Sequence, residues 1–243
     1  VRTTDNFGTT GEKPSNPELL DHLAQKLIAE GWSMKKLIRY VVLSRTYRQT
    51  SAVHEQAAKL DPENQLFSHA NLRRAEAEYL RDAMLQVSGK LDLTMGGITF
   101  NESLGSDYNY KVNSTRRSIY VPVFRNSLPE IYEVFDFADP SVGTGRRNVT
   151  TAAPQALYFM NNPFVLEQAQ YTAQRLLADT NMSDEGRLNL AFRSAFGRLP
   201  SEREKRLATE YLASVGDAPT KRLAAWTSLT QTLFATVDFR YIP

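Results

Sequence analysis

Helix punctuation constrains this chain more than any other feature. Asn16-Pro17-Glu18 sets an N-cap, a proline at the first helical position and an acid beside the positive helix end. Leu20, Leu23, Ala24, Leu27 and Ile28 follow at helical spacing, and Gly31 stops the run. Ser33 caps a second helix with Met34, Leu37, Ile38, Val41 and Val42 on one stripe. Lys35, Lys36, Arg39, Arg45 and Arg48 take the other positions. Asn162-Pro163 repeats the start signal, Ser201 to Glu204 forms a capping box, and Pro219 opens a last helix. A chain punctuated in this way predicts a mainly α fold.

The reading covers residues 1–243 as one multi-helix domain. A helical hairpin spans 16–48 and a third helix 72–88. An irregular central block runs from 92 to 151, with long loops and a short extended or β layer over Ser118–Phe124. C-terminal helices occupy 152–236. The chain opens on Val1, without Met or a leader, which reads as a fragment of a longer protein.

Composition removes whole classes of chemistry. The chain has no cysteine, which excludes disulfides, thiolate metal sites and covalent haem attachment within it. A net charge of +2 leaves no general polyanion footprint, so the basic hairpin reads as a solvated αα-hairpin ahead of a DNA-reading helix-turn-helix. No apolar run approaches the ~20 residues of a membrane span. His22, His54 and His69 show no ligand spacing, so neither metal nor cofactor is expected in this segment.

The block from Arg116 to Asn162 breaks the helical pattern, with five arginines, four prolines and many aromatics. On a helical wheel Glu76 falls within the apolar face formed by Leu72, Tyr79, Leu80, Ala83, Met84 and Val87. A carboxylate there must be paired or protonated. It is either a tuned acid or base, or the partner of Arg73 or of an arginine in the central block. Glu78 and Asp82 lie one turn apart and repel unless cations intervene, with Arg74 and Arg81 at suitable offsets on the polar side. Asp136 and Asp139, followed by Arg146 and Arg147, fit either glycoside chemistry or Arg–carboxylate forks that fix a loop. The rings of Tyr120, Phe124, Tyr132, Phe135, Phe137, Tyr158 and Phe159 fit a sugar-stacking surface or a core under an irregular layer.

Several segments together carry a resemblance: NPELLDHLAQKLIAEGWSMKKLIRYVVLSRTYRQTS, RRAEAEYLRDAMLQVSGKLD with MGG, RRSIYVPVFRN, FDFADPS, RRNVTTAAPQALYFMNNPFV and FGRLPSEREK. In that order they are similar to the planctomycete-type domain of unknown function 1553, over nearly the whole chain. That domain closes large exported proteins that often carry a planctomycete cytochrome c domain upstream. The resemblance implies a periplasmic or cell-surface location, other domains of the same polypeptide as partners, and haem in the upstream part. It supplies no established activity. Its polar motif positions fall here on Glu76, Glu78, Arg81, Asp82, Arg117, Tyr120, Arg125, Asp136, Asp139, Arg146, Thr150, Thr151, Gln155 and Asn161.

The resulting expectation is an accessory or interaction module, without a firm case for an enzyme. A carbohydrate-active domain that binds or cleaves polysaccharide is the alternative, and DNA binding through residues 16–48 comes third. The central arginines Arg117, Arg125 or Arg146 are expected to dock onto Glu76, Glu78 or Asp82 and form one polar centre.

Overall fold

Side-chain caps start five of the helices among the described residues. The computed structural model describes residues 3–100, 110–216 and 218–242, and these form eleven α-helices and a two-strand sheet. The described residues group into two units. The first holds residues up to Arg73 with Thr144–Arg146, and the second holds Arg74–Gly143 with Arg147–Ile242.

In the first unit, the Asn16 side chain accepts the Leu19 N–H at 2.9 Å and starts α1, Pro17–Ala29. Ser33 caps α2, Met34–Val42, which packs against α1 as the expected hairpin. The helical part of the hairpin therefore ends at Val42, ahead of Arg45 and Arg48. A short α3, Glu55–Leu60, follows. None of the three helices contains a buried residue. Asn64, 5% exposed, ties the next loop together: its amide donates to the His69 carbonyl at 2.7 Å and accepts the Ser68 N–H at 2.8 Å.

The second unit contains the hydrophobic core. Its first helix, α4, runs from Ala77 to Ser88 and ends at Gly89, whose φ of 75° is the left-handed cap expected there. The helix starts later than the expected residue 72. Arg73–Arg74 form a two-residue strand β1, paired with β2, Tyr241–Ile242. The Ala75 N–H donates to the Arg240 carbonyl at 2.7 Å, and Glu76 takes the extended N-cap conformation. A backbone held in a ladder cannot also wind into a helical turn.

Ser118–Tyr120 forms a 3₁₀ turn where an extended segment was expected, so the β component is smaller than foreseen. Pro122 deprives the segment of a ladder donor. Helix α5, Glu130–Val134, follows Pro129. Five further helices complete the core: α6 (Ala153–Asn161), α7 (Pro163–Leu177), α8 (Asp184–Phe196), α9 (Glu202–Val215) and α10 (Pro219–Ala235). A final turn, α11, covers Val237–Arg240.

Helix α7 is the hub, with α4 and α10 both packed on it. Ala169 and Ala173 are fully buried and let α10 come close, and the Thr230 hydroxyl reaches across to the Ala169 carbonyl at 2.9 Å. Around Phe135, Tyr158 and Phe159 the rings meet edge to face at centroid distances of 5.5–6.0 Å. The second cluster centres on Trp226, Phe192 and Leu188. Most of the aromatics foreseen as core or sugar platform are therefore core.

Phe159 is fully buried and Leu157 is 55% exposed on the same helix. Phe159→Ala is expected to cost about 3–5 kcal/mol in urea unfolding, and Leu157→Ala within about 0.5 kcal/mol.

Candidate functional site

The polar face of α4 and the loops that cover it carry three charged nodes, all within the second unit. The first begins at Arg74, whose side chain is 4% exposed and forms an ion pair with Asp136 at 2.6 Å. Asp136 also accepts the Thr150 N–H and hydroxyl, both at 2.9 Å. Arg74 and Gln155 both donate to the Thr150 carbonyl, Gln155 at 3.0 Å, and Gln155 also donates to the Val134 carbonyl at 3.1 Å. Asp136 sits at φ 56°, a left-handed conformation that Asp tolerates better than most residues. Burial works against its ionisation, yet the Thr150 N–H and Arg74 prevail and hold the carboxyl below its ordinary range.

The second node is a fork. Arg147 grips both oxygens of Glu78, at 2.7 and 2.8 Å, and reaches Glu76 at 3.3 Å. Its guanidinium lies 4.7 Å over the Phe137 ring, which stacks on Tyr132 with centroids 4.6 Å apart and planes 8° from parallel. Burial pushes the Tyr132 phenol up, against the lowering effect of the nearby Ser118 hydroxyl.

Arg81 anchors the third. It is 4% exposed and donates to the Ser114 and Arg116 carbonyls and to the Ser118 hydroxyl. Asp82 accepts the Ser118 N–H at 2.8 Å and its hydroxyl at 2.7 Å. Burial lowers the affinity of Arg81 for its proton, which the nearby Tyr132 and Asp82 partly offset. Arg116 then braces the preceding loop. It stacks on Tyr120 at 4.1 Å and donates to the Thr94 and Ile98 carbonyls.

These contacts revise several sequence expectations. Glu76 lies outside the helix as its N-cap, its side chain 51% exposed, and not on the apolar face, because the helix starts at Ala77. Tyr79, placed on that face by the wheel, is 62% exposed. Arg74 and Arg81, placed on the polar side, have buried side chains. The central block does dock onto α4, but through other residues than foreseen. Arg117 and Arg125 are exposed and form no ion pair with Glu76, Glu78 or Asp82, and Arg146 belongs to the first unit. The docking cation is Arg147. Asp139 is exposed and its carboxylate accepts the N–H of Ser141, while Thr151 and Asn161 are exposed and join no node. Arg147 and Ser118 carried no separate signal in the sequence, since their partners Glu78 and Asp82 lie 69 and 36 residues away. Residues 101–109 of the central block, Asn101 and Gly105 among them, lie outside the described residues.

A groove of about 490 Å³ lies elsewhere in this unit, lined by none of the node residues. Phe192, Phe196, Leu207, Tyr211, Leu229 and Leu233 line it, with Arg198 paired to Glu204 at 2.8 Å and to Asp238 at its rim. Among the described residues no cluster of three His, Asp or Glu side chains forms a metal-ligand set. No described helix is long and apolar enough to cross a membrane.

These features define a mainly α protein whose irregular layer is locked to one helix by charged nodes. The chain belongs to the family described as PSD1, protein of unknown function (DUF1553), whose model matches residues 1–212. No curated protein and no solved structure matches it.

Asp136→Ala would strand the buried Arg74 and put alanine in a left-handed conformation. Chemical denaturation is expected to show a loss of about 3 kcal/mol, against no more than about 0.5 kcal/mol for Arg146→Ala. Arg198 holds the Glu204 carboxyl at about 2, below its ordinary 4.5. The stabilisation is therefore complete above the unfolded value and lost as pH falls from 4.5 towards about 2. An acid titration of stability should show this decline, with a shallower slope in Glu204→Gln.

Proposed function

We propose that this chain is a non-catalytic accessory or interaction module of a large exported polypeptide, with electron transfer housed in a haem-bearing domain elsewhere in that polypeptide. The observation that carries this reading is the saturation of the α4-facing carboxylates. Glu78 has both oxygens on Arg147, Asp82 has Ser118, and Asp136 has Arg74 and Thr150. A glycoside hydrolase needs one carboxyl free to give a proton and a second facing the sugar. Here each acid is instead committed to a covering loop, Asp82 and Asp136 through backbone N–H groups and Glu78 through the Arg147 side chain, as expected of a structural network. The exported setting and the haem-bearing neighbour rest on family resemblance. Reading of DNA through residues 16–48 has only the local basic character of the hairpin behind it.

A thermal-shift series with polysaccharide fragments and divalent cations tests the reading. The melting temperature is expected to stay flat. A ligand at a hundredfold excess over its Kd would raise it by roughly 5–10 °C in a chain of this size. Such a rise with a glycan, abolished in Asp136→Asn, would establish the carbohydrate-active alternative.

A further inference from the structure

The α1–α2 hairpin presents a surface that nothing in the first unit covers. Between Gly31 and His54 the chain carries five cations and no acid, although its overall net charge is only +2. Lys36 pairs with Glu30 at 3.0 Å. Lys35, Arg39, Arg45 and Arg48 are exposed and have no ion pair among the described residues. The acids of α1 do not neutralise them: Glu30 is engaged by Lys26 and Lys36, and Glu18 and Asp21 sit in the first turns of α1.

Large apolar side chains share this surface. Met34 and Ile38, one turn apart on α2, are 58% and 56% exposed, and Leu43 and Tyr47 beyond the helix are 57% and 56% exposed. Leu37 and Val41, by contrast, are partly covered within the hairpin. At its tip stands Trp32, 70% exposed, with φ at 59°, a conformation uncommon for a bulky side chain. The turn that holds it there is closed by the Gly31 N–H on the Ile28 carbonyl at 3.0 Å and the Trp32 N–H on the Leu27 carbonyl at 2.9 Å.

We propose that this hairpin docks on an anionic lipid surface. Helix α2 lies along the interface, Trp32, Met34 and Ile38 enter the boundary between headgroups and acyl chains, and the four unpaired cations meet lipid phosphates. An amphipathic helix with cations on its polar face and tryptophan beside its apolar one fits that interface. The protruding tip requires a deformable partner, whereas a folded protein would need a matching groove. The uniform positive charge requires that partner to be anionic. This inference stands independently of the accessory-module reading.

The test is sedimentation of the full chain with phosphatidylcholine vesicles, with and without phosphatidylglycerol, across a salt series. Binding is expected only with phosphatidylglycerol and should weaken with salt. Lys35→Gln with Arg39→Gln should weaken it about 30-fold. Trp32 emission should shift to the blue on binding, and Trp32→Ala should lose that shift while buried Trp226 stays constant. These side chains are exposed, so the variants should keep their helical circular dichroism, which checks that they fold. Absence of vesicle binding, or binding that neither variant changes, overturns the proposal. So does retention on duplex DNA without vesicle binding, or self-association abolished by Ile38→Ser without vesicle binding.

Discussion

The close approach of α7 and α10 is the contact on which the second unit depends. Two alanines on α7 bring the helix backbones near enough for the Thr230 hydroxyl to reach the Ala169 carbonyl. Larger residues there would push α10 outward and open the seam now filled by Trp226 and Leu233. Helix α4 packs on another side of α7. Ser88 bonds Gln168 at 2.7 Å, and Arg175 caps the last α4 carbonyls, donating to Val87 at 3.0 Å. The position of α4, and hence of every charge it presents, follows from this hub.

A loop layer needs partners for its backbone, because a covered loop carries polar groups that must be satisfied. Arginine suits the task, since its planar fork of donors can serve carbonyls and a carboxylate together. Arg74 bonds Asp136 and the Thr150 carbonyl, and Arg81 serves three acceptors from Ser114 to Ser118. The charged nodes are thus the means by which an irregular segment, poor in ladders, is fixed on a helical base. Concavity and charge are separated in this unit, as the open groove lies at Phe192 and Leu229, away from the nodes.

Helix ends were readable from sequence where the signal is local. Asn16, Asn162 and Ser201 cap the helices their spacing announced, and Gly89 and Gly197 end theirs in left-handed conformations. Glu76 is decided by a distant contact instead. Its place on the wheel assumed a helix from residue 72, while a strand pairing with Tyr241–Ile242 claims Arg73 and Arg74. The charged layer was foreseen in kind, as a central block docked to the third helix, but not in its members.

By itself the sequence determined a mainly α chain, the starts and stops of most helices and the existence of a charged central block. Each of these is decided by residues within about one turn of each other. Only the tertiary structure decided which charges meet, because Arg74 finds Asp136 across 62 residues and Arg147 finds Glu78 across 69. At such separations Arg146 and Arg147 are equivalent in sequence. They become distinct only when folding sets one beside Glu78 and Phe137.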